Sequence, residues 1–123
     1  MIHLDTHALV WFLTGQTGEL RPIAHKLRAP IGLSPLVFLE IQYLHESGKT
    51  GLTGASARRD VEGMREFVVS KAPLFEVMEQ ALALTWTRDP FDRLIVGNAL
   101  ADGAVLLTRD RVILERCRSA AWA

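Results

Sequence analysis

Four carboxylates in this chain of 123 residues stand where their side chains could work together: Asp5, Glu40, Asp92 and Asp110. Asp5 ends the apolar run MIHL and Asp110 closely follows the apolar run AVLL, so each separates a predicted strand from a predicted helix. The carboxyl ends of parallel strands meet at one edge of a sheet, where ligand crevices form. We therefore expect Asp5 and Asp110 to face one site.

These aspartates also have an ordinary structural explanation. Aspartate is a favoured helix N-cap, because its side chain accepts a hydrogen bond from an early helix N–H group and contributes about 1 kcal/mol. In RDPFD, Asp89 fits an N-cap, Pro90 the first helical position and Asp92 the third, which resembles a capping box. Taken singly, each aspartate is more simply explained as a cap.

Glu40 is harder to explain as a surface residue. In the helix predicted after Ser34, Glu40 lies inside one apolar stripe, which is formed by Leu36, Val37, Ile41 and Leu44. Burial of an unpaired carboxylate costs several kcal/mol, so Glu40 needs a cation, a proton, or a position at the edge of the core. A structural ion pair and a functional site both remain open.

Four carboxylates at one edge of a sheet would repel one another. Two like charges about 4 Å apart repel by roughly 4 kcal/mol at an effective dielectric of about 20, so a bound cation is implied. Oxygen ligands select a hard ion such as Mg²⁺ or Mn²⁺, which serves phosphodiester hydrolysis. Four arginines flank these acids: Arg88, Arg93, Arg109 and Arg111. They could hold phosphates, although arginines more commonly lie on the solvated surface.

The elements that must position these residues alternate between strand and helix. Strands are predicted at residues 1–4, 31–33, 75–78 and 104–107. Helices are predicted at residues 6–13, 19–28, 35–47, 55–71, 79–86, 92–102 and 111–117. This alternation predicts an α/β fold with a parallel sheet covered on both faces, and the length suits a single domain over residues 1–123.

Composition narrows the class of protein. Lys plus Arg and Asp plus Glu both total 14, so no global positive field favours nucleic acid or an anionic membrane, and such a partner must be recognised locally. Cys117 is the only cysteine, which excludes an internal disulfide and suits a reducing compartment. No apolar run reaches the roughly 18 residues of a membrane span. We expect a soluble, cytoplasmic protein.

Four motifs spread over nearly the whole chain resemble one family. LDTHALVW, the glutamate of SPLVFLEI, RDPFDRLIVGNAL and LLTRD, in that order, closely resemble PIN-domain ribonucleases of the VapC toxin type. Each motif alone is weak, but the four together are specific. The resemblance implies a PIN-like three-layer α/β/α sandwich with a small, mostly parallel sheet. The Ala-rich end RCRSAAWA predicts an abbreviated last strand.

The resemblance also implies roles for particular residues. It makes Asp5, Glu40, Asp92 and Asp110 the catalytic and metal-binding quartet, with Asp89 as a cap. The activity implied is Mg²⁺- or Mn²⁺-dependent endonucleolytic cleavage of RNA by the toxin of a toxin–antitoxin pair. The implied partners are RNA, a second copy of the chain in a homodimer, and an antitoxin that inserts into the site.

Other polar and aromatic residues carry weaker signals. Candidate substrate contacts are Thr6, Arg93, Thr108 and Arg109, although local backbone hydrogen bonds explain the two threonines equally well. His3 and His7 have an HxxxH spacing, but the break between strand and helix should separate their directions. The three tryptophans are expected in the core or an interface rather than as platforms for bases.

Two alternatives belong to other classes of protein. A phosphatase-like enzyme could use Asp5 as a nucleophile, but the second aspartate expected two residues later is His7. A non-catalytic PIN-like module could bind RNA or protein without cutting. The complete quartet argues against such a module, because acids without a role are free to change.

Overall fold

A computed structural model describes all residues from 1 to 123 and contains one central sheet of five strands. The strands are β1 (Ile2–Leu4), β2 (Ile31–Leu33), β3 (Phe67–Val69), β4 (Val105–Leu107) and β5 (Ala120–Ala121). They lie in the order β3-β2-β1-β4-β5, and every neighbouring pair is parallel. The carboxyl ends of all five strands therefore lie at one edge, as the sequence predicts.

Seven α-helices complete a PIN-like α/β/α sandwich, which confirms the predicted fold class. They are α1 (Thr6–Leu13), α2 (Thr17–Leu20), α3 (Leu36–Glu46), α4 (Gly54–Glu62), α5 (Leu74–Leu82), α6 (Pro90–Ala101) and α7 (Arg111–Arg116). The sheet is wholly parallel, and its last strand has only two residues, in line with the expected abbreviation. No helix has the length and apolar character to cross a membrane.

The core forms where the central strands meet α3 and α6. These strands are buried on both faces, so they consist of nearly continuous apolar residues, and Leu4, Leu33 and Leu106 are fully buried. Helix α6 also packs closely on α5, because Gly97 has no side chain. A Cβ atom at Gly97 would lie 2.9 Å from the Val77 carbonyl oxygen. This close packing fixes α6, whose first turn carries Asp92.

Residues 55–71 do not form the single helix that was predicted. Helix α4 ends at Glu62, and Phe67–Val69 form β3 instead. The apolar residues Val61, Met64, Phe67 and Val68 have helical spacing, but the last two also favour a strand. Pairing with β2 decides the outcome, because it satisfies the backbone and buries Phe67.

Three further predictions are wrong or only partly right. The strand predicted at 75–78 lies inside α5, because Val77 and Ala81 form a buried helical stripe after Pro73. The helix predicted at 79–86 correspondingly stops at Leu82. The helix predicted at 19–28 is α2 followed by a 3₁₀ helix over Arg21–Lys26, since Pro22 has no N–H to continue an α-helical ladder.

Candidate active site

Asp5 links the ends of two central strands. Its carboxylate is 9% exposed, and Oδ1 accepts a hydrogen bond from the Thr6 N–H at 2.7 Å. Oδ2 accepts one from the Thr108 hydroxyl at 2.6 Å, which joins the carboxyl ends of β1 and β4. Burial raises the pKa of the Asp5 carboxyl, and these hydrogen bonds together with the charge of His7 oppose that rise. Asp5 thus begins α1 as a cap residue and is also a buried acid.

Asp110 stands beside Asp5 through the same threonine. Its backbone N–H donates to Thr108 Oγ1 at 3.0 Å, while its exposed side chain caps α7 by accepting from the Ile113 N–H at 3.1 Å. Thr108 therefore donates to one acid and accepts from the backbone of the other. This arrangement fixes the two strand ends relative to each other.

Glu40 lies at the edge of the core on α3. The helix buries Val37, Ile41 and Leu44, whereas Glu40 is half-buried and forms no ion pair. The explanation as a structural ion pair is therefore not supported. Burial raises the pKa of the Glu40 carboxyl, and the charge of Asp5 raises it further.

Thr6 offers an unused hydroxyl beside Glu40. Its Oγ1 is buried and has no partner in hydrogen-bond geometry, although the hydroxyl is close enough to lower the pKa of the Glu40 carboxyl. Buried polar atoms almost always have partners. This unpartnered atom marks a place for a water molecule or another ligand beside Asp5 and Glu40.

The negative charges of four other carboxylates act on the Asp92 carboxyl. It is half-buried in the first turn of α6, and burial is the largest cause that raises its carboxyl pKa from 3.8 to about 7. The remaining causes are the negative charges of Asp89, Asp5, Asp110 and Glu40. These five residues are called the acidic cluster below. The other three acids that the sequence singled out therefore lie near enough for their charges to act on Asp92.

The sequence prediction gave Asp89 only the role of a cap and did not include it in this cluster. Asp89 does cap α6, because its Oδ1 accepts from the Phe91 N–H at 2.8 Å and from the Asp92 N–H at 3.1 Å. However, its charge also raises the pKa of both the Glu40 and the Asp92 carboxyl. The signal available in the sequence was its position three residues before Asp92, which places both on one helix turn.

The acidic cluster suits a hard divalent cation with an open coordination shell. Its donors are oxygens, its like charges repel, and the unpartnered Thr6 hydroxyl lies beside it. No three His, Cys, Asp or Glu side chains converge closely enough to hold an ion alone. Mg²⁺ is commonly held by one or two carboxylates and several waters, so a closed cage is not required.

Two candidate substrate contacts have partners within the protein. Arg93 donates from Nε to the Ala81 carbonyl oxygen at 3.1 Å and from Nη2 to the Leu82 carbonyl oxygen at 3.2 Å, which closes the end of α5. Arg109 forms an ion pair with Glu19. Arg93 therefore has a structural role that explains its position.

The two histidines of the HxxxH spacing point to different places, as expected. His3 is 1% exposed and its Nε2 lies 2.9 Å from Asp102 Oδ2, whereas His7 is exposed beside Asp5. Burial lowers the pKa of the His3 imidazole more than Asp102 raises it. His3 belongs to a buried polar network rather than to the acidic cluster.

Comparison with protein families and solved structures gives consistent results. The family model of the PIN domain matches residues 2–118, and no curated protein matches the chain. A toxin–antitoxin complex from Klebsiella pneumoniae is similar at 15% identity and a TM-score of 0.72, covering 98% of this chain and 96% of that one. VapBC-1 from nontypeable Haemophilus influenzae is similar at 18% identity and a TM-score of 0.66, covering 100% and 97%. VapBC2 from Rickettsia felis, bound to a DNA fragment from its promoter, is similar at 20% identity and 0.63, covering 100% and 98%. At these identities the likeness shows a shared fold.

Proposed function

The chain belongs to the PIN domain family, and from this premise we propose that residues 1–123 form one metal-dependent endoribonuclease domain, the toxin of a toxin–antitoxin pair. The observation that carries the proposal is Asp92, whose carboxyl pKa is raised to about 7 by burial and by four other carboxylates. Such crowding of carboxylates destabilises the metal-free fold and is typical of functional sites. A bound cation would relieve it.

Four residues would hold the cation, Mg²⁺ or Mn²⁺: Asp5, Glu40, Asp92 and Asp110. When bound, such an ion supplies an activated water and neutralises charge that develops on the phosphate. The protein contributes orientation, because Thr108 and the Thr6 N–H fix both oxygens of Asp5. Asp92 holds a proton in much of the metal-free protein near neutral pH and must release it when the cation binds.

RNA as substrate and an antitoxin as partner are supported by the four motifs and by the fold shared with toxin–antitoxin complexes. The acidic cluster complements a cationic side chain, so an antitoxin segment that inserts an arginine or lysine would neutralise it. Cys117 is the only cysteine and cannot form an internal disulfide, which suits the reducing cytoplasm. The RNA substrate and the antitoxin would both be present in that compartment.

A homodimer is the proposed assembly, and an exposed apolar surface supports it. Five large apolar side chains on α3 and α5 are more than half exposed: Leu39, Tyr43, Leu74, Phe75 and Leu82. We call them the apolar face. Tyr43 also contacts Phe91 at a ring-centroid distance of 5.9 Å, which extends the face to the first turn of α6. Large apolar side chains that are exposed on two helices packed against the same third helix, α6, are consistent with a protein interface.

The proposed activity is tested by incubating the purified protein with total RNA and with single-stranded oligoribonucleotides, and mapping the new ends. We expect cleavage with Mg²⁺ or Mn²⁺, none in EDTA, and weaker cleavage at high salt. Undiminished cleavage in excess EDTA would contradict the metal requirement. Cleavage of DNA in preference to RNA would contradict the substrate class.

A further inference from the structure

A group of stacked side chains lies beside the acidic cluster and has no role in the function proposed above. The Arg109 Cζ atom lies 5.2 Å from the centroid of the Trp11 ring. Trp122 meets Trp11 edge to face, with ring centroids 5.7 Å apart and an interplanar angle of 72°. His7 contacts Trp11 at 6.2 Å and 48°. These four residues are called the stacking shelf below.

The stacking shelf borders the acidic cluster at two points. His7 is the second residue after Asp5, and Arg109 immediately precedes Asp110. The charge of His7 also lowers the pKa of the Asp5 and Glu40 carboxyls, which is consistent with this proximity. A phosphodiester held at the acids would therefore bring its neighbouring nucleoside to the shelf.

Arg109 is held in place by the protein and yet remains open to solvent. Its guanidinium lies over the Trp11 ring and forms an ion pair with Glu19, while its side chain is 51% exposed. The guanidinium carbon lies over the Trp11 ring, and the exposed half of the Arg109 side chain is available to a ligand. A guanidinium that is already oriented loses little conformational entropy when a ligand stacks on it.

The chemistry of the shelf favours a flat, uncharged ligand over a phosphate. Arg109 already has an anionic partner in Glu19, so its guanidinium is less available to a phosphate than to the flat, uncharged face of a base. Unpaired RNA bases stack on aromatic rings and on guanidinium planes. We propose that the stacking shelf binds one unpaired nucleobase of the substrate, next to the cleaved phosphodiester, by stacking on the exposed guanidinium of Arg109. This inference rests on the proposed ribonuclease function.

A purely structural role for Arg109 has a different consequence. In a structural role, which we call a brace, Arg109 would only hold the loop that carries Asp110. Its loss would then slow the cleavage of every substrate equally. As a base platform, its loss matters only when the substrate carries a base at the position that stacks on it. The two roles are therefore separated by substrates that lack single bases.

The experiment uses single-stranded oligoribonucleotides of about twelve nucleotides, each with one abasic nucleotide at a successive position, and measures kcat/KM with Mn²⁺. We expect one abasic position next to the cleaved bond to lower kcat/KM of the wild type by about ten-fold or more. Arg109→Lys should lower it by a similar factor on the intact substrate and show no further loss at that abasic position. The control is Arg58→Lys, which alters an exposed ion pair with Glu62 that has no cation–π contact with a ring. It should behave as the wild type.

Two outcomes would overturn the base platform. In one, the penalties of Arg109→Lys and of the abasic position multiply, which is the signature of a brace. In the other, no abasic position lowers kcat/KM.

Dissociation constants of the same oligonucleotides in Ca²⁺, measured by fluorescence anisotropy, separate this proposal from the nuclease proposal. If the protein binds RNA without cutting it, the nuclease proposal fails. The role of the shelf is then decided by comparing the dissociation constants of the intact and abasic oligonucleotides for the wild type and Arg109→Lys. A protein that neither binds nor cuts overturns both.

Discussion

The Thr108 hydroxyl donates to Asp5 Oδ2 at 2.6 Å, across 103 residues of sequence, and with the hydrogen bond from the Asp5 N–H to the Leu107 carbonyl oxygen it joins the carboxyl ends of β1 and β4. Thr108→Val removes the donor but keeps the shape of the side chain. Because a buried carboxylate then loses a partner, we expect a loss of about 1–3 kcal/mol in the free energy of unfolding at pH 8. Thr108→Ser keeps the hydroxyl and should retain most of this stability. Chemical denaturation of both variants measures the difference, and equal stabilities would show that the contact contributes little.

The pH dependence of the metal-free protein should report Asp92. A carboxyl whose pKa is raised in the folded state, here from 3.8 to about 7, contributes stability that is full below pH 4. This contribution is lost as the pH rises to about 7, because the unfolded chain ionises the group freely. Asp92→Asn should therefore melt near the wild-type temperature at about pH 4 and above it at about pH 8. Melting curves in EDTA measure this, and Asp60→Asn, on the exposed surface of α4, is the control. A difference that does not change with pH would contradict the assignment.

The Asp89→Asn variant should distinguish the capping of α6 by Asp89 from the effect of its charge on Asp92. Asparagine caps a helix about as well as aspartate, so Asp89→Asn should preserve α6 and keep cleavage within a few-fold of the wild type. It removes one of the charges that raise the pKa of the Asp92 carboxyl, which should fall below about 7. Carboxyl chemical shifts followed by NMR during a pH titration measure this change. An unaltered titration of Asp92 would place Asp89 outside the cluster.

The apolar face should be the dimer interface. Phe75 is 73% exposed, so Phe75→Glu should cost little folding stability while it disrupts an apolar interface. We expect sedimentation at tens of micromolar, on the order of weaker dimer affinities, to show a dimer for the wild type and a monomer for this variant. Val112→Glu, at a 50% exposed position on α7, is the matched control and should remain dimeric. A monomeric wild type would contradict the proposed assembly.

Local sequence patterns predicted most of this fold and the four acids of the candidate site. Asp5 and Asp110 could be placed because short apolar runs precede them, and Glu40 because it interrupts a helical stripe. Strand β3 could not be predicted, since three residues are too few to show alternation and their spacing also suits a helix.

The contacts that complete the site lie between residues distant in the sequence. Arg109 and Glu19 are 90 residues apart, and Thr108 and Asp5 are 103 residues apart. No local pattern predicts such pairs, because they depend on which strands become neighbours. The sheet order places β4 beside β1, and only then do Thr108 and Asp5 meet.

The most direct test of the proposed metal site is the effect of Asp5→Asn on melting temperature and cleavage rate, each measured with and without Mn²⁺. If Asp5 acts only as a cap, asparagine replaces it and both quantities stay near the wild type. If Asp5 is a ligand, removal of one charge from the acidic cluster should leave the metal-free melting temperature unchanged or higher. The stabilisation by Mn²⁺ and the cleavage of RNA should both be lost. Full cleavage by Asp5→Asn, with the wild-type response to Mn²⁺, would contradict the account.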